Sequence, residues 1–125
     1  MTRFLLVCLG GAVGTGARYA LGGFLLRSLG PSFPYGTLAV NLIGSFLLAV
    51  IMQIGLDTEV LSSTARITLA VGVMGGFTTY STFSYETVEF FRRGEAGLAT
   101  LNVAITVLGC ALACLLGTWA AKSIS

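Results

Sequence analysis

The chain has no histidine, and only 10% of its residues are charged. A soluble globular domain carries about 25% charged residues, so this composition does not supply an aqueous surface. The missing histidine removes the commonest general base and metal ligand near neutral pH. No pair of buried carboxylates, nucleophile–base set, Cys/His cluster or phosphate-binding loop can be picked out, and catalysis is not expected. The formal net charge is +2 and scattered, so nucleic acid is not an expected partner. Cysteines are also few. Cys8, Cys110 and Cys114 all lie in apolar segments and are expected to be buried free thiols acting as small hydrophobes. They define no redox compartment.

What the chain has in abundance is hydrophobicity, at 55% of residues. Four apolar segments follow one another, at about residues 4–26, 35–56, 66–91 and 96–121. Each is close to the ~20 residues that a spanning helix needs. The expected fold is all-α: a single domain over residues 1–125 with four transmembrane helices and both termini on one side of the membrane. The first residues imitate a secretory signal, with one arginine, an apolar run and then small residues. The apolar pattern resumes after Arg18 as Tyr19-Ala20-Leu21-Gly22-Gly23-Phe24-Leu25-Leu26, so the reading favours one uncleaved span. Gly30, Pro31 and Pro34 close the first loop, and Arg92-Arg93-Gly94-Glu95 forms the last turn.

Loop charges do not choose an orientation. Arg3, Arg66 and Lys122 fall on one side, and Arg27, Arg92 and Arg93 on the other. A balanced count fits a weakly determined topology or insertion in both orientations. The small size favours the second, since four short helices enclose little protected volume. An antiparallel homodimer, with its site between two copies, is then the expected assembly. Gly10-x-x-x-Gly14, Gly72-x-x-x-Gly76 and Gly109-x-x-x-Ala113-x-x-x-Gly117 are small-residue spacings that let helices approach. They could serve packing between copies or within one.

Polar residues recur at helical spacing inside three segments. Thr37, Asn41 and Ser45 share a face, as do Thr78, Thr82 and Glu86, and Asn102, Thr106, Cys110 and Cys114. Each stripe alone could be inter-helix hydrogen bonding. Three of them beside a broken helix favour a polar pathway. The expected break lies near residues 75–79, where Gly75-Gly76 weakens the helix. Freed carbonyls near Gly75 and Thr78 would suit a small hard cation. The half-helix after the break would present N–H groups suited to an anion, and a plain kink filled by hydroxyls remains open. Phe77, Tyr80 and Phe83 recur three apart, and their positive ring edges could contact an anion or simply pack. Arg18 could attract an anion, snorkel to the interface or partner a carbonyl at the break. Glu86 and Glu89 could face water or pair with Arg92 and Arg93.

The stretch Gly75-Gly76-Phe77-Thr78-Thr79-Tyr80-Ser81-Thr82-Phe83-Ser84-Tyr85-Glu86 resembles the GGxTTFSTFSxE signature of the CrcB/Fluc fluoride channel family. The likeness extends to Gly14-x-Gly16-Ala17-Arg18-Tyr19, to residues 36–44 around Asn41, and to Leu101-Asn102-Val103. It implies a dual-topology antiparallel homodimer in the bacterial inner membrane that passively exports cytoplasmic fluoride through two pores. It also implies a structural Na⁺ held by backbone carbonyls of Gly75 and Thr78 from both subunits. By the same resemblance Asn41 is the pore asparagine, Tyr80 and Phe83 are the pore aromatics, and Ser81 and Thr82 the hydroxyl track. Arg18 matches the first-helix arginine, and Glu86 ends the motif. Thr106, Cys110 and Cys114 extend the pore's polar lining on the fourth span. Two features depart from the pattern: Tyr80 stands where the family usually has Phe, and Cys110 and Cys114 where Ser or Thr is frequent. The implied partners are fluoride, a second copy and the bilayer. A small four-helix proton-coupled multidrug exporter is the alternative. It requires a carboxylate in the first span, and only Arg18 is charged there.

Overall fold

The computed structural model describes residues 1–125 and is entirely helical. Helix α1 spans Thr2–Leu29, α2 spans Tyr35–Asp57 and α6 spans Ala96–Ile124. These three are long and apolar enough to cross a membrane unbroken. The remaining span is assembled from pieces: α3 (Ser63–Ile67), a π-helical stretch (Thr68–Met74), α4 (Gly75–Phe77) and α5 (Tyr80–Arg92). Helix α1 runs without interruption through Arg18, as the resumed apolar pattern predicts.

Local chemistry sets the ends of these elements. Gly30 takes φ 81° and Gly94 φ 75°, left-handed values that turn the chain after α1 and α5 at no Cβ cost. Ser62 caps α3 by accepting from the Ala65 N–H at 3.1 Å, and Thr79 caps α5 by accepting from the Thr82 N–H at 3.2 Å.

The break lies later than the glycine pair suggests. Gly75 is helical, with φ −61° and ψ −38°, and α4 runs on through Phe77. The extended residues are Thr78 (φ −87°, ψ 159°) and Thr79 (φ −150°, ψ 109°). Gly76 serves close packing: a Cβ there would lie 2.5 Å from the Gly11 carbonyl oxygen of α1. Loss of helix falls instead where a threonine can cap and a neighbouring helix can take over the peptide bonds.

Helix α1 lies against the π-helical stretch and α4, and α2 lies along α6, with α5 on α6. The small-residue spacings all resolve within one subunit. Gly10 and Gly14 face Val73, Gly72 faces Val7 and Gly10, Gly109 faces Leu42, and Gly117 faces Phe46 and Ala49. At one end Arg3 donates to the Ser63 and Thr64 hydroxyls, Arg66 to the Gly55 carbonyl, and Ser125 to Asp57. Both termini and the α2–α3 loop therefore share that end. At the other, Phe33 stacks on Phe90, with ring centroids 6.1 Å apart.

Only 17 of 125 residues are buried, because most apolar side chains point outward, as they do toward lipid. The same inversion corrects the reading of the cysteines. All are free thiols, but Cys8 is exposed and Cys110 and Cys114 are only part-buried. In a membrane segment apolar character does not imply an interior position.

A Cβ at Gly14 would collide with the Val73 carbonyl and reach 2.9 Å from the Phe77 nitrogen. Gly14→Ala should therefore destabilise the protein by about 1–3 kcal/mol. Gly16→Ala, with nothing within 4 Å of the added carbon, should be neutral within about 0.5 kcal/mol. Thermal unfolding in detergent checks both.

Candidate functional site

Asn41 lies on the α2 face turned toward the break and is itself buried. Its Oδ1 accepts the Thr79 N–H at 2.8 Å, and its Nδ2 donates to the Thr79 carbonyl at 3.0 Å. One amide side chain thus satisfies both polar groups of the peptide residue that left the helix. Nearby, the Thr78 N–H and hydroxyl both donate to the Met74 carbonyl, at 3.0 and 2.9 Å. Arg18 Nε donates to the Gly76 carbonyl at 3.0 Å. Of the roles open to Arg18 from the sequence, its geometry is that of a carbonyl partner at the break. In a continuous α-helix the Gly75 carbonyl would accept from the Thr79 N–H. That donor is diverted to Asn41, which leaves the Gly75 oxygen without its helical partner. A hard carbonyl oxygen freed of its helical donor is a fitting ligand for Na⁺. No group of three or more His, Cys, Asp or Glu side chains converges, so carbonyls are the ligands a resident cation would use.

A cavity of about 360 Å³ opens beside the break. Asn41 and Ser45 from α2, Gly75 and Thr78, Tyr80 and Phe83 from α5, and Thr106 and Cys110 from α6 line it. The polar stripes of three spans therefore meet in one place. Phe83 is buried, whereas Tyr80 is 79% exposed. Their rings meet edge to face at 5.7 Å and 64°. Phe77 is buried on the other side of the break, so the three aromatics do not form one continuous stripe. Thr106 Oγ1 is buried without a hydrogen-bond partner. A buried hydroxyl left unpaired is costly and marks the cavity wall as a place for a ligand or water.

Other expected site residues lie apart. Arg18 lines a separate trough along α1 with Thr15, Tyr19 and Arg27. Ser81 is exposed, and Thr82 accepts from the Thr79 hydroxyl at 3.0 Å. Cys114 donates its thiol to the Ser45 carbonyl at 3.3 Å. Glu86 borders a cavity of about 180 Å³ with Thr37 and Gly36, and its Oε1 is buried without a partner. Glu89 pairs with Arg92 at 2.7 Å, while Arg93 rests over the Phe90 ring.

Two contributors escaped the sequence reading. Thr79 is both helix cap and the peptide that Asn41 holds. Thr87 accepts from Asn102 Nδ2 at 3.0 Å and donates to the Phe83 carbonyl at 2.8 Å, tying α6 to the turn that carries Phe83. The signal was available: Thr87 follows Phe83 by one helical turn, and Asn102 is a full amide inside an apolar run.

Residues 5–118 match the model of the family described as CrcB-like protein, Camphor Resistance (CrcB). The chain belongs to the CrcB family. Among curated members, the fluoride-specific ion channel FluC of Anaeromyxobacter dehalogenans is 52% identical over 118 residues, 94% of each chain. FluC of Sorangium cellulosum is 51% identical over 126 residues, covering 99% of this chain and 98% of its own. FluC of Thermus thermophilus is 52% identical over 101 residues, 81% and 80% respectively. Membership of a family whose curated members are named ion channels leaves the multidrug-exporter reading without support.

The clamp on Thr79 has a direct test. Asn41→Asp keeps the acceptor for the Thr79 N–H and removes the donor to its carbonyl. It should cost about 1–3 kcal/mol of stability. Backbone amide exchange at Thr78–Tyr80 should also accelerate.

Proposed function

We propose that this protein is a fluoride channel that passively exports cytoplasmic fluoride across a bacterial inner membrane as a dual-topology antiparallel homodimer. The observation that carries the reading is the cavity beside the break, where Asn41, Thr106 and Cys110 face the rings of Tyr80 and Phe83. Relatives at up to 52% identity are named fluoride-specific ion channels, and this supports the choice of ion. Fluoride is small and accepts hydrogen bonds strongly. Hydroxyl and amide donors can replace its water, and the positive edges of aromatic rings can hold it weakly enough to let it go. Conduction needs that balance. A fixed ammonium or guanidinium in the same narrow space would bind the anion too tightly to release it.

In this reading Phe83 and Tyr80 line the pore, with Ser81 and Thr82 continuing its hydroxyl track and Glu86 at its mouth. Cys110 is a weaker donor than a hydroxyl, so Thr106 carries more of the α6 contribution. Tyr80 keeps the ring edge of a phenylalanine and adds an OH that can donate to the anion. The carbonyls of Gly75 and Thr78, from both copies, would hold a structural Na⁺ at the dimer axis, where it would lend positive charge and fasten the interface. The diverted Thr79 N–H supports this role for Gly75. A channel of this kind carries no catalytic residue.

Liposomes containing the purified protein should release fluoride rapidly and chloride hardly at all, as read by ion-selective electrodes. Equal chloride flux would sink the reading. Phe83→Ile should lower fluoride flux while leaving the dimer folded. An imposed Na⁺ gradient should not drive fluoride uphill; flux that follows such a gradient would mean coupled transport.

A further inference from the structure

Arg18 is a charged group deep within α1, and a charge at that depth demands a specific partner. Its partner is the Gly76 carbonyl, 58 residues away in sequence, at 3.0 Å. The approach depends on packing. A Cβ at Gly76 would sit 2.5 Å from the Gly11 carbonyl oxygen and 3.1 Å from the Thr15 nitrogen, so only glycine brings the end of α4 this close to α1. Two further carbonyls at the break are taken, Met74 by Thr78 and Thr79 by Asn41. The Gly75 oxygen has its helical donor diverted.

We propose that Arg18 is a positioning residue that keeps the Gly76 oxygen out of the cation site and so leaves the Gly75 oxygen to it. Its guanidinium is a tethered cation already seated on Gly76. It occupies that oxygen, holds the last turn of α4 against α1, and leaves to a cation the adjacent Gly75 oxygen, whose helical donor is diverted to Asn41. Without Arg18, two neighbouring carbonyls would compete for a donor, and the end of α4 would lose its anchor. The planar guanidinium suits this task. Its Nε–H has a fixed direction, whereas a lysine ammonium is a rotating point charge. The proposal rests on the reading of the break as a cation site.

The test uses the full chain in detergent and two readouts besides flux. One is the Na⁺ concentration at the midpoint of thermal stabilisation, with Na⁺ replaced by N-methylglucamine. The other is amide exchange over Thr78–Ser81. Arg18→Gln should raise the Na⁺ midpoint about 10–100-fold, the range for losing a group that orients a metal ligand, and should speed exchange at the break. Arg18→Lys should fall between Arg18→Gln and wild type. Guanidinium added to Arg18→Ala should restore the midpoint, and methylammonium should not. A folded Arg18→Gln protein with the wild-type midpoint and exchange overturns the role of Arg18. Should Arg18→Gln not assemble, an unshifted midpoint in Arg18→Lys, with no guanidinium rescue of Arg18→Ala, overturns it equally. A wild-type protein indifferent to Na⁺ overturns the cation site itself, and this proposal with it. Those two failures are distinguished by whether wild type responds.

Discussion

A helix broken inside a bilayer must return each freed peptide group to a partner, and here both groups of Thr79 go to the single side chain of Asn41. An unsatisfied N–H or C=O in hydrocarbon costs several kcal/mol, more than the preference of any residue for helix or coil. The break is therefore stable only where that amide is present. Asn41 fixes its level against α2, and the Thr79 hydroxyl restarts the helix by capping Thr82. Phe83 follows one turn into α5, and Thr87 and Asn102 hold that turn to α6. The position of the cavity wall is thus traceable, bond by bond, to one asparagine.

Close packing makes this network reachable. Gly10, Gly14, Gly72 and Gly76 remove the side chains that would separate α1 from the third span. Backbone then meets backbone, and Arg18 reaches a carbonyl it could not reach across a layer of leucines. The widened π-helical turns over Thr68–Met74 precede the break. Such turns are frequent at functional sites, and here they bring the chain into the glycine contact with α1 immediately before it leaves the helix. Packing and polarity are coupled: the same glycines that close the interface expose the carbonyls that need partners.

The four spans and their turns were legible because twenty-residue apolar runs between Gly, Pro and Arg clusters have few alternatives. So were the polar faces that carry Asn41 and Thr106, since helical spacing puts each on a defined face, while Phe83 was placed with them only by the family resemblance. The break fell within the expected residues 75–79, but at their far end. Propensity treats Gly75-Gly76 as a weak point, but in a glycine-packed membrane helix those residues are held by contact with α1, and the chain opens at Thr78–Thr79 instead. The pairing of Asn41 with a single peptide could not be read either, since periodicity reports a face and not the partner opposite it. Burial failed for Cys8 for a related reason: lipid accepts what water rejects, so an apolar residue carries no direction.

Three features left incomplete in one subunit share one surface. Tyr80 projects with 79% of its area exposed, Thr106 has an unpaired buried hydroxyl, and Gly75 offers a carbonyl without its helical donor. All border the same open cavity. Lipid could cover the tyrosine ring, but it could satisfy neither the hydroxyl nor the carbonyl. In the proposed homodimer a second copy of the same face would answer all of these at once. An isologous contact brings each residue's own surface toward its equivalent, so two Gly75 oxygens can converge while two cavities close separately. Arginines balanced between the two ends leave an inverted copy as readily inserted as an upright one, and inversion sets the two breaks across each other. In that proposed arrangement a cation between opposed carbonyls would offset the repulsion that otherwise holds the breaks apart, and the interface and the pore would become one construction.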